Sequence, residues 1–564
     1  MRKTVAVFLI ICCFISMYSC SRKENRSDGY SELFSDGKVS NDSFEEGLSH
    51  WTESGNGISV TGERCFEGEK SLMIGSTGEY HARLHQRIHH LAPGYYYLEV
   101  NTFHEGNEEY CYIYGKGSGQ DKCMTSVPVT AKTGKWSVTT VRGIKVEQDG
   151  ALEIGIEVKG KGRFSYFDGI CLKFEANQAY QYPSLFGGAI SWLDWEEDAG
   201  AKYYDEYGNE KDAILILKEN GCNFVRLELY NNPGAYSSVE GDYFPEGYKN
   251  ADAIFRLAKR ADALGMKMQL SFMYSDYWGN EAIPSDWLRE MDSMKSNEEK
   301  REYLTQAIYR YTRSFMTRLK EAGICPEYVS IGNEIDGGIL LPYGSSTASG
   351  ESVSALAGFL NSGYKAVKEV SPNSKVVLHI SCNADDMHWQ GHYGMGRWFF
   401  DLMEEKRVKY DLIGTSFYPF WAQNSSEYSV KRSLDLNDLK EWSEMMTDRY
   451  DKDILIMESG YNWGVPGQLS DNGAYSGIYA SSPEGQREYV IDLINTVKSV
   501  KDGRCTGCLY WDPILVRQEG VGYALYGEGK PRENVVETTT FFDYEHIALP
   551  VLKAYRYNTV GRCP

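Results

Sequence analysis

From residue 184 onward the chain alternates short apolar runs with helical stretches, and this alternation limits its fold more than any other feature. Strand-like runs stand at SLFGGAIS (from Ser184), NFVRLEL (Asn223), KMQLSFM (Lys267) and EYVSIGNE (Glu327). Four more follow at KVVLHIS (Lys375), DLIGTSF (Asp411), DILIMES (Asp453) and CTGCLYW (Cys505). Helical patterns lie between them. NADAIFRLAKRADALG is one, with Gly265 as its stop signal, and NEEKREYLTQAIYRYTRSFMTRLKEAG is another. Strands alternating with helices predict a parallel sheet with crossover helices. Eight such units within residues 177–564 predict an α/β fold closed as a (β/α)8 TIM barrel. The alternative is an open doubly wound sheet, but no Gly-rich phosphate loop follows the first strand.

Residues 40–176 read differently. ALEIGIEV (Ala151 to Val158) and GYYYLEV (Gly94 to Val100) alternate with period two, and Gly-containing turns separate such runs. No long helical pattern intervenes, so an all-β, jelly-roll-like sandwich is expected ahead of the barrel. Earlier still, MRKTVAVFLIICCFISMYSC has the anatomy of a signal peptide: a basic pair, an apolar run, then Ser19-Cys20. A small residue before a Cys fits a bacterial lipoprotein cleavage box. Residues 1–20 are therefore expected to be a lipoprotein signal with Cys20 as the lipidation site, and residues 21–39 a polar tether. Export and a lipid anchor to the outer membrane follow from that reading.

Charge narrows the partners. The chain carries 59 Lys+Arg against 79 Asp+Glu, a net charge of -20. That disfavours nucleic acid, which requires a basic surface, and disfavours a polyanionic substrate. A neutral substrate suits it better, and 42 Tyr and 12 Trp provide rings on which sugars can stack. A monomer without cofactor is expected. Ten cysteines follow Cys20. Cys111 and Cys123 bracket a Gly-rich turn and are candidates for pairing. Cys505-x-x-Cys508 has no partner pair and lies in an apolar run, so it reads as core strand rather than metal or redox site.

Two of the barrel runs end in a carboxylate. Glu334 closes the fourth and Glu458 the seventh. Strand ends at the carboxyl face of such a barrel carry its chemistry, so both would project into one mouth. Two carboxyl groups in one cleft are what glycoside hydrolysis needs: one protonated to help the leaving oxygen depart, one ionised to meet the anomeric carbon. A single strand-end Glu is ordinarily a solvated residue; two in this order are harder to assign to chance.

At these residues the barrel resembles the endo-β-1,4-galactanases, glycoside hydrolase family 53. The resemblance runs through AGAKYYDEYGNEKDAILILKENGCNFVRLELYNNP, AKRADALGMKMQLSFMYSDYWGNEAIPSDW, VSIGNEIDGG, YDLIGTSFYPFW, ILIMESGY, SPEGQREYV and TTFFDYEHIALPVLKAYR, in family order. It implies retaining endo-hydrolysis of β-1,4-galactan and arabinogalactan side chains of pectin, with Glu334 as acid/base and Glu458 as nucleophile. It further implies that Asn333 binds the sugar 2-hydroxyl and that Arg226 points at the nucleophile. Tyr418 would hydrogen-bond near it, and Trp511 would be a stacking floor. Asp276, Tyr274 and Trp278 of MYSDYW and His379 of VVLHI would be further substrate-binding residues. For Arg226 the plain alternative is a structural ion pair; for Tyr418 and Trp511 it is core packing. The sandwich resembles carbohydrate-binding modules through NDSFEEGLSHW, LAPGYYYLEV and FSYFDGICL, although a spacer role reads equally well.

Departures from the family pattern fall outside the two glutamates. Ser271 and Met273 stand where relatives commonly have Asp and His, and Ile339 and Leu341 where they often have Met and Trp. Outlying sugar contacts are where these differences would act. The loop after the seventh strand, YNWGVPGQLSDNGAYSGIYA, has only the Asp471-Asn472 pair and no His, so no calcium is expected there. Two rival readings remain at the level of sequence. One is a non-catalytic glycan-capture lipoprotein on an inactive barrel. The other is a barrel glycosidase acting on mannan, xylan or glucan.

Overall fold

The computed structural model describes residues 39–104, 108–117, 125–128, 136–176, 185–234, 244–277, 282–381, 394–418, 435–464, 479–518, 521 and 538–558. The expected signal peptide with Cys20 and nearly all of the tether lie outside the described residues, as do Cys123, Trp278 and most of the loop after the seventh barrel strand.

The eight apolar runs form eight parallel strands closed into a barrel, in chain order. They are Leu185–Ala189, Phe224–Leu229, Lys267–Phe272, Tyr328–Ile331, Lys375–Ile380, Leu412–Phe417, Asp453–Ser459 and Cys505–Tyr510. The last pairs with the first, Leu509 opposite Gly187, which rules out the open sheet. Closure also explains why these runs read as nearly continuous apolar segments, since such strands are covered on both faces. The helix Ala251–Ala263 begins on Asn250, whose side chain accepts from the amides of Asp252 and Ala253. The helix Asn297–Glu321 begins with a capping box between Ser296 and Glu299.

Inside the barrel, Phe224, Tyr328, Val377, Leu412, Leu455, Met457 and Leu509 make one buried apolar cluster. They come from six of the eight strands, and half-buried Leu185 of a seventh packs against them. Two positions further along their strands stand Arg226, Ser330, His379 and Gly414, because side chains of one face recur with period two. Gly414 is small of necessity: a Cβ there would stand 2.7 Å from Val377 Cγ1 and 2.8 Å from Met457 Cγ. The apolar plug thus seals the barrel beneath a polar layer. The pairing of the sixth and seventh strands shifts register between Thr415 and Ser416, bringing Ser416 opposite Glu458. That irregularity aims the second glutamate.

Ahead of the barrel, antiparallel strands fold into the expected β-sandwich. Its spine is the 25-residue strand Leu152–Ala176. The strand Ser71–Ile88 pairs along most of its length. Tyr110–Gly117 takes the other edge of its first half and Gly94–His104 that of its second half. Leu72, Leu84, Leu98, Ile113, Ile156 and Phe167 are among its core residues. Val39, assigned to the tether in the sequence reading, is also in that core. The sandwich lies against the barrel helix Pro483–Ser499. There Arg487 Nη2 donates to the backbone oxygen of Glu109 at 3.3 Å. Cys111, Cys505 and Cys508 are buried free thiols. Burial pushes all three thiols up, against thiolate chemistry. No helix among the described residues is long and apolar enough to cross a membrane.

Candidate active site

Glu334 follows the fourth strand through Gly332 and Asn333. Gly332 has φ +85°, and a Cβ there would come within 2.4 Å of Ile335 Cγ2. Glu334 itself is left-handed, at φ 48° and ψ 58°. A non-glycine residue in that region costs about 1–2 kcal/mol, a strain characteristic of functional positions. The turn carries the Glu334 carboxyl back over the barrel mouth. Glu458 lies within the seventh strand and is 6% exposed. One carboxyl oxygen of each glutamate lies within 4.8 Å of the other. A retaining glycosidase holds its carboxyl groups about 5–5.5 Å apart, an inverting one about 6.5–9.5 Å.

The two carboxyl groups have unlike surroundings. Arg226, fully buried on the second strand, donates through Nη1 to Glu458 Oε1 at 2.5 Å and through Nη2 to Asn333 Oδ1 at 2.5 Å. Its Nε reaches Ser271 Oγ at 3.2 Å. Tyr418 donates its hydroxyl to the other oxygen, Glu458 Oε2, at 2.9 Å. Among the described residues Glu334 has no ion pair; Ser416 Oγ donates to its Oε1 at 2.5 Å. Burial, reinforced by the negative charge of Glu458, pushes the Glu334 carboxyl up to about 8, and the Ser416 bond opposes this only in part. Burial raises Glu458 too, with Arg226 and the Tyr418 bond pulling against it. The guanidinium thus offsets the cost of burying Glu458 rather than reversing it. Of the pair, Glu334 is the one that keeps a proton and Glu458 the one that gives it up.

The remaining sequence candidates separate. Trp511 is 5% exposed and meets Tyr418 edge-on, with ring centres 5.8 Å apart. His379 is fully buried with its Nε2 2.9 Å from Ser416 Oγ. Since Ser416 gives its proton to Glu334, the Nε2 of His379 is the donor. Burial and then Arg226 hold the imidazole well below its usual range, so it is neutral. His379 therefore supports Ser416 through its Nε2. Tyr274 is also fully buried, and its hydroxyl lies 2.7 Å from Thr312 Oγ1 in the layer between strands and helices. Asp276 is 2% exposed and accepts from the amides of Asn232 and Ser285 at 2.9 and 2.7 Å, tying two loops together. The polar atoms of Tyr274 and Asp276 described above are thus engaged inside the protein, whereas His379 uses Nε2 on Ser416 and keeps a buried Nδ1 without a partner among the described residues.

Ser416, Glu228 and Lys249 belong to the constellation and were missed from the sequence, while Ser271, expected to act at outlying sugar contacts, accepts from Arg226. Ser416 lies two residues before Tyr418 and Glu228 two after Arg226, so strand periodicity alone would have put both on the inner face. Glu334, His379 and Glu458 each present a potential ligand atom within 4.8 Å of the others. With one of these carboxyls protonated and Glu458 already paired with a guanidinium, the trio is a carboxyl pair with its hydrogen-bond support rather than a cation site.

The sequence profile of glycosyl hydrolase family 53 matches residues 185–555, the whole barrel. The chain belongs to that family. It is therefore a glycoside hydrolase of a retaining, two-glutamate family. An arabinogalactan endo-β-1,4-galactanase of Thermothelomyces thermophilus is 30% identical over 344 residues, covering 58% of this chain and 91% of the relative. That of Cellvibrio japonicus is 28% identical over 373 residues, covering 64% and 87%. Among solved structures, a family 53 catalytic domain of Ignisphaera aggregans superposes with TM-score 0.55 at 28% identity, covering 67% of this chain and 96% of that one. A fungal β-1,4-galactanase superposes with TM-score 0.52 at 26% identity, covering 66% and 99%.

Proposed function

We propose that this family 53 hydrolase cleaves internal β-1,4-galactosidic bonds of galactan and arabinogalactan, retaining the anomeric configuration. The observation that carries the reading is the close pair of carboxyls, one paired with a buried arginine and one poised to hold a proton near neutrality. Glu334 donates that proton to the glycosidic oxygen as the bond to the anomeric carbon breaks. A Glu458 oxygen forms a covalent ester with that carbon. Glu334, now ionised, takes a proton from water. The water oxygen attacks the anomeric carbon and frees Glu458. Arg226 and Tyr418 hold one oxygen each of Glu458, which fixes its plane for attack. Arg226 also holds the amide oxygen of Asn333, which orients the amide nitrogen for the sugar 2-hydroxyl. Trp511, against Tyr418, supplies the stacking surface.

We further propose that the enzyme is exported, lipid-anchored through Cys20 and monomeric, with the β-sandwich as an N-terminal module docked on the barrel. The N-terminal MRKTVAVFLIICCFISMYSC supports the anchor. The test of substrate is a panel digest with linear galactan, mannan, xylan and β-glucan, with products resolved over time. Early mid-sized galactooligosaccharides are expected. Activity on another glycan alone would overturn the substrate, and early release of galactose alone would overturn endo cleavage.

A further inference from the structure

Behind the nucleophile lies a buried cation that the mechanism above does not use. Lys249 precedes the helix Ala251–Ala263 and is 1% exposed. Its backbone is left-handed at φ 55°, and its carbonyl accepts from the Tyr230 amide at 3.0 Å. Its ammonium lies 4.0 Å from the ring centre of Trp192, 4.9 Å from that of Phe244 and 5.3 Å from that of Tyr230. Aromatic faces stabilise such a cation without taking up its charge. The charge goes to Glu228: Nζ donates to Glu228 Oε2 at 2.9 Å. Glu228 is itself 2% exposed, and its other oxygen stands 3.6 Å from Arg226 Nη1. That same nitrogen is 2.5 Å from Glu458. Opposite charges therefore alternate in a buried row from Lys249 through Glu228 and Arg226 to Glu458.

We propose that Lys249 is a positioning residue for the nucleophile, neutralising Glu228 so that Arg226 serves Glu458 and Asn333. The inference rests on the role of Glu458 as the ionised nucleophile. Two buried carboxylates cannot both lean on one guanidinium without one of them becoming easier to protonate. With Lys249 in place, each anion has its own cation. Without it, Glu228 competes for Arg226 and the bond to Glu458 weakens. Glu458 is faced by Arg226 of the second strand, Tyr418 following the sixth, Glu334 following the fourth and neutral His379 of the fifth. None of these can replace a cation lost from the far side of Glu228.

The test is the pH dependence of kcat/KM on soluble galactan for wild type, Lys249→Met, Glu228→Gln and the double variant, each confirmed folded by near-UV circular dichroism. The acidic limb of that profile reports ionisation of the nucleophile in the free enzyme. In Lys249→Met it should move to higher pH by about one unit, a roughly tenfold loss at a fixed acidic pH. Glu228→Gln keeps the shape and removes the competing anion, so its limb should move to lower pH. It also carries the test if Lys249→Met does not fold. Adding Glu228→Gln to Lys249→Met should return the limb to or below its wild-type place. A purely structural ion pair would lower the melting temperature and leave the limbs where they are; that result, or a double variant that fails to recover, would overturn the proposal. Failure of the nucleophile reading shows elsewhere, as retained activity in Glu458→Ala.

Discussion

Replacing Arg226 by methionine removes the cation and all its donors at nearly constant length. Arg226 is fully buried, with 2.5 Å bonds to Glu458 and Asn333. Hydrogen bonds involving a charged group contribute about 1.5–3 kcal/mol each, so losing two removes about 3–6 kcal/mol. At 1.36 kcal/mol per factor of ten, kcat/KM should fall about 10²–10⁴-fold. The direction of the pH effect follows from the same geometry. Arg226 opposes the rise that burial imposes on Glu458. Without it the nucleophile ionises only at higher pH, and the acidic limb of kcat/KM moves upward. The alkaline limb should move in the same direction, since the guanidinium also lowers Glu334. The assay is reducing-end release from soluble galactan across pH 4–9 on folded protein. A loss below tenfold with an unmoved acidic limb would refute the argument that Arg226 tunes the nucleophile.

Other perturbations probe neighbouring links. The alkaline limb of the wild-type profile should lie near pH 8, where Glu334 loses its proton. Ser416→Ala removes a bond that favours the ionised form of Glu334, so that limb should move to higher pH; a downward shift would contradict the donor role of Ser416. Deleting residues 21–176 should leave activity on soluble oligosaccharides, because Arg226, Glu334, Tyr418 and Glu458 all lie beyond residue 176. It should also lower the melting temperature by uncovering the helix Pro483–Ser499; inactivity of a folded barrel would show that the sandwich completes the site. Cys20→Ala should release the protein from membranes and abolish lipid labelling, and unchanged fractionation would count against the anchor.

Much of the barrel was legible because each strand is short, apolar and bounded by helical pattern, and all eight fell where the runs stood. The two glutamates were legible for a related reason: a charged residue ending a buried strand is conspicuous in a linear reading. What surrounds them was less so. Lys249 lies in a loop without periodicity, 21 residues from the Glu228 it neutralises, and only closure of the fold brings the two together. Tyr274 and Asp276 were expected as ligand contacts from the family resemblance of MYSDYW. The structure turns the tyrosine into the helix layer and spends the carboxylate on backbone amides. The shifted register beside Ser416 leaves no mark in residue type, yet it sets Glu458 opposite that serine.

The central claim is that Glu458 attacks the anomeric carbon and Glu334 moves the proton. The most direct test is the product anomer by NMR, in wild type and in azide rescue of Glu334→Ala and Glu458→Ala on an activated aryl galactoside. The account predicts a β-configured first product from the wild type. It predicts a β-azide from Glu334→Ala, where azide meets the glycosyl-enzyme. From Glu458→Ala it predicts an α-azide, because azide then enters by the vacated face. An α-configured wild-type product, or the two azides exchanged, would contradict it.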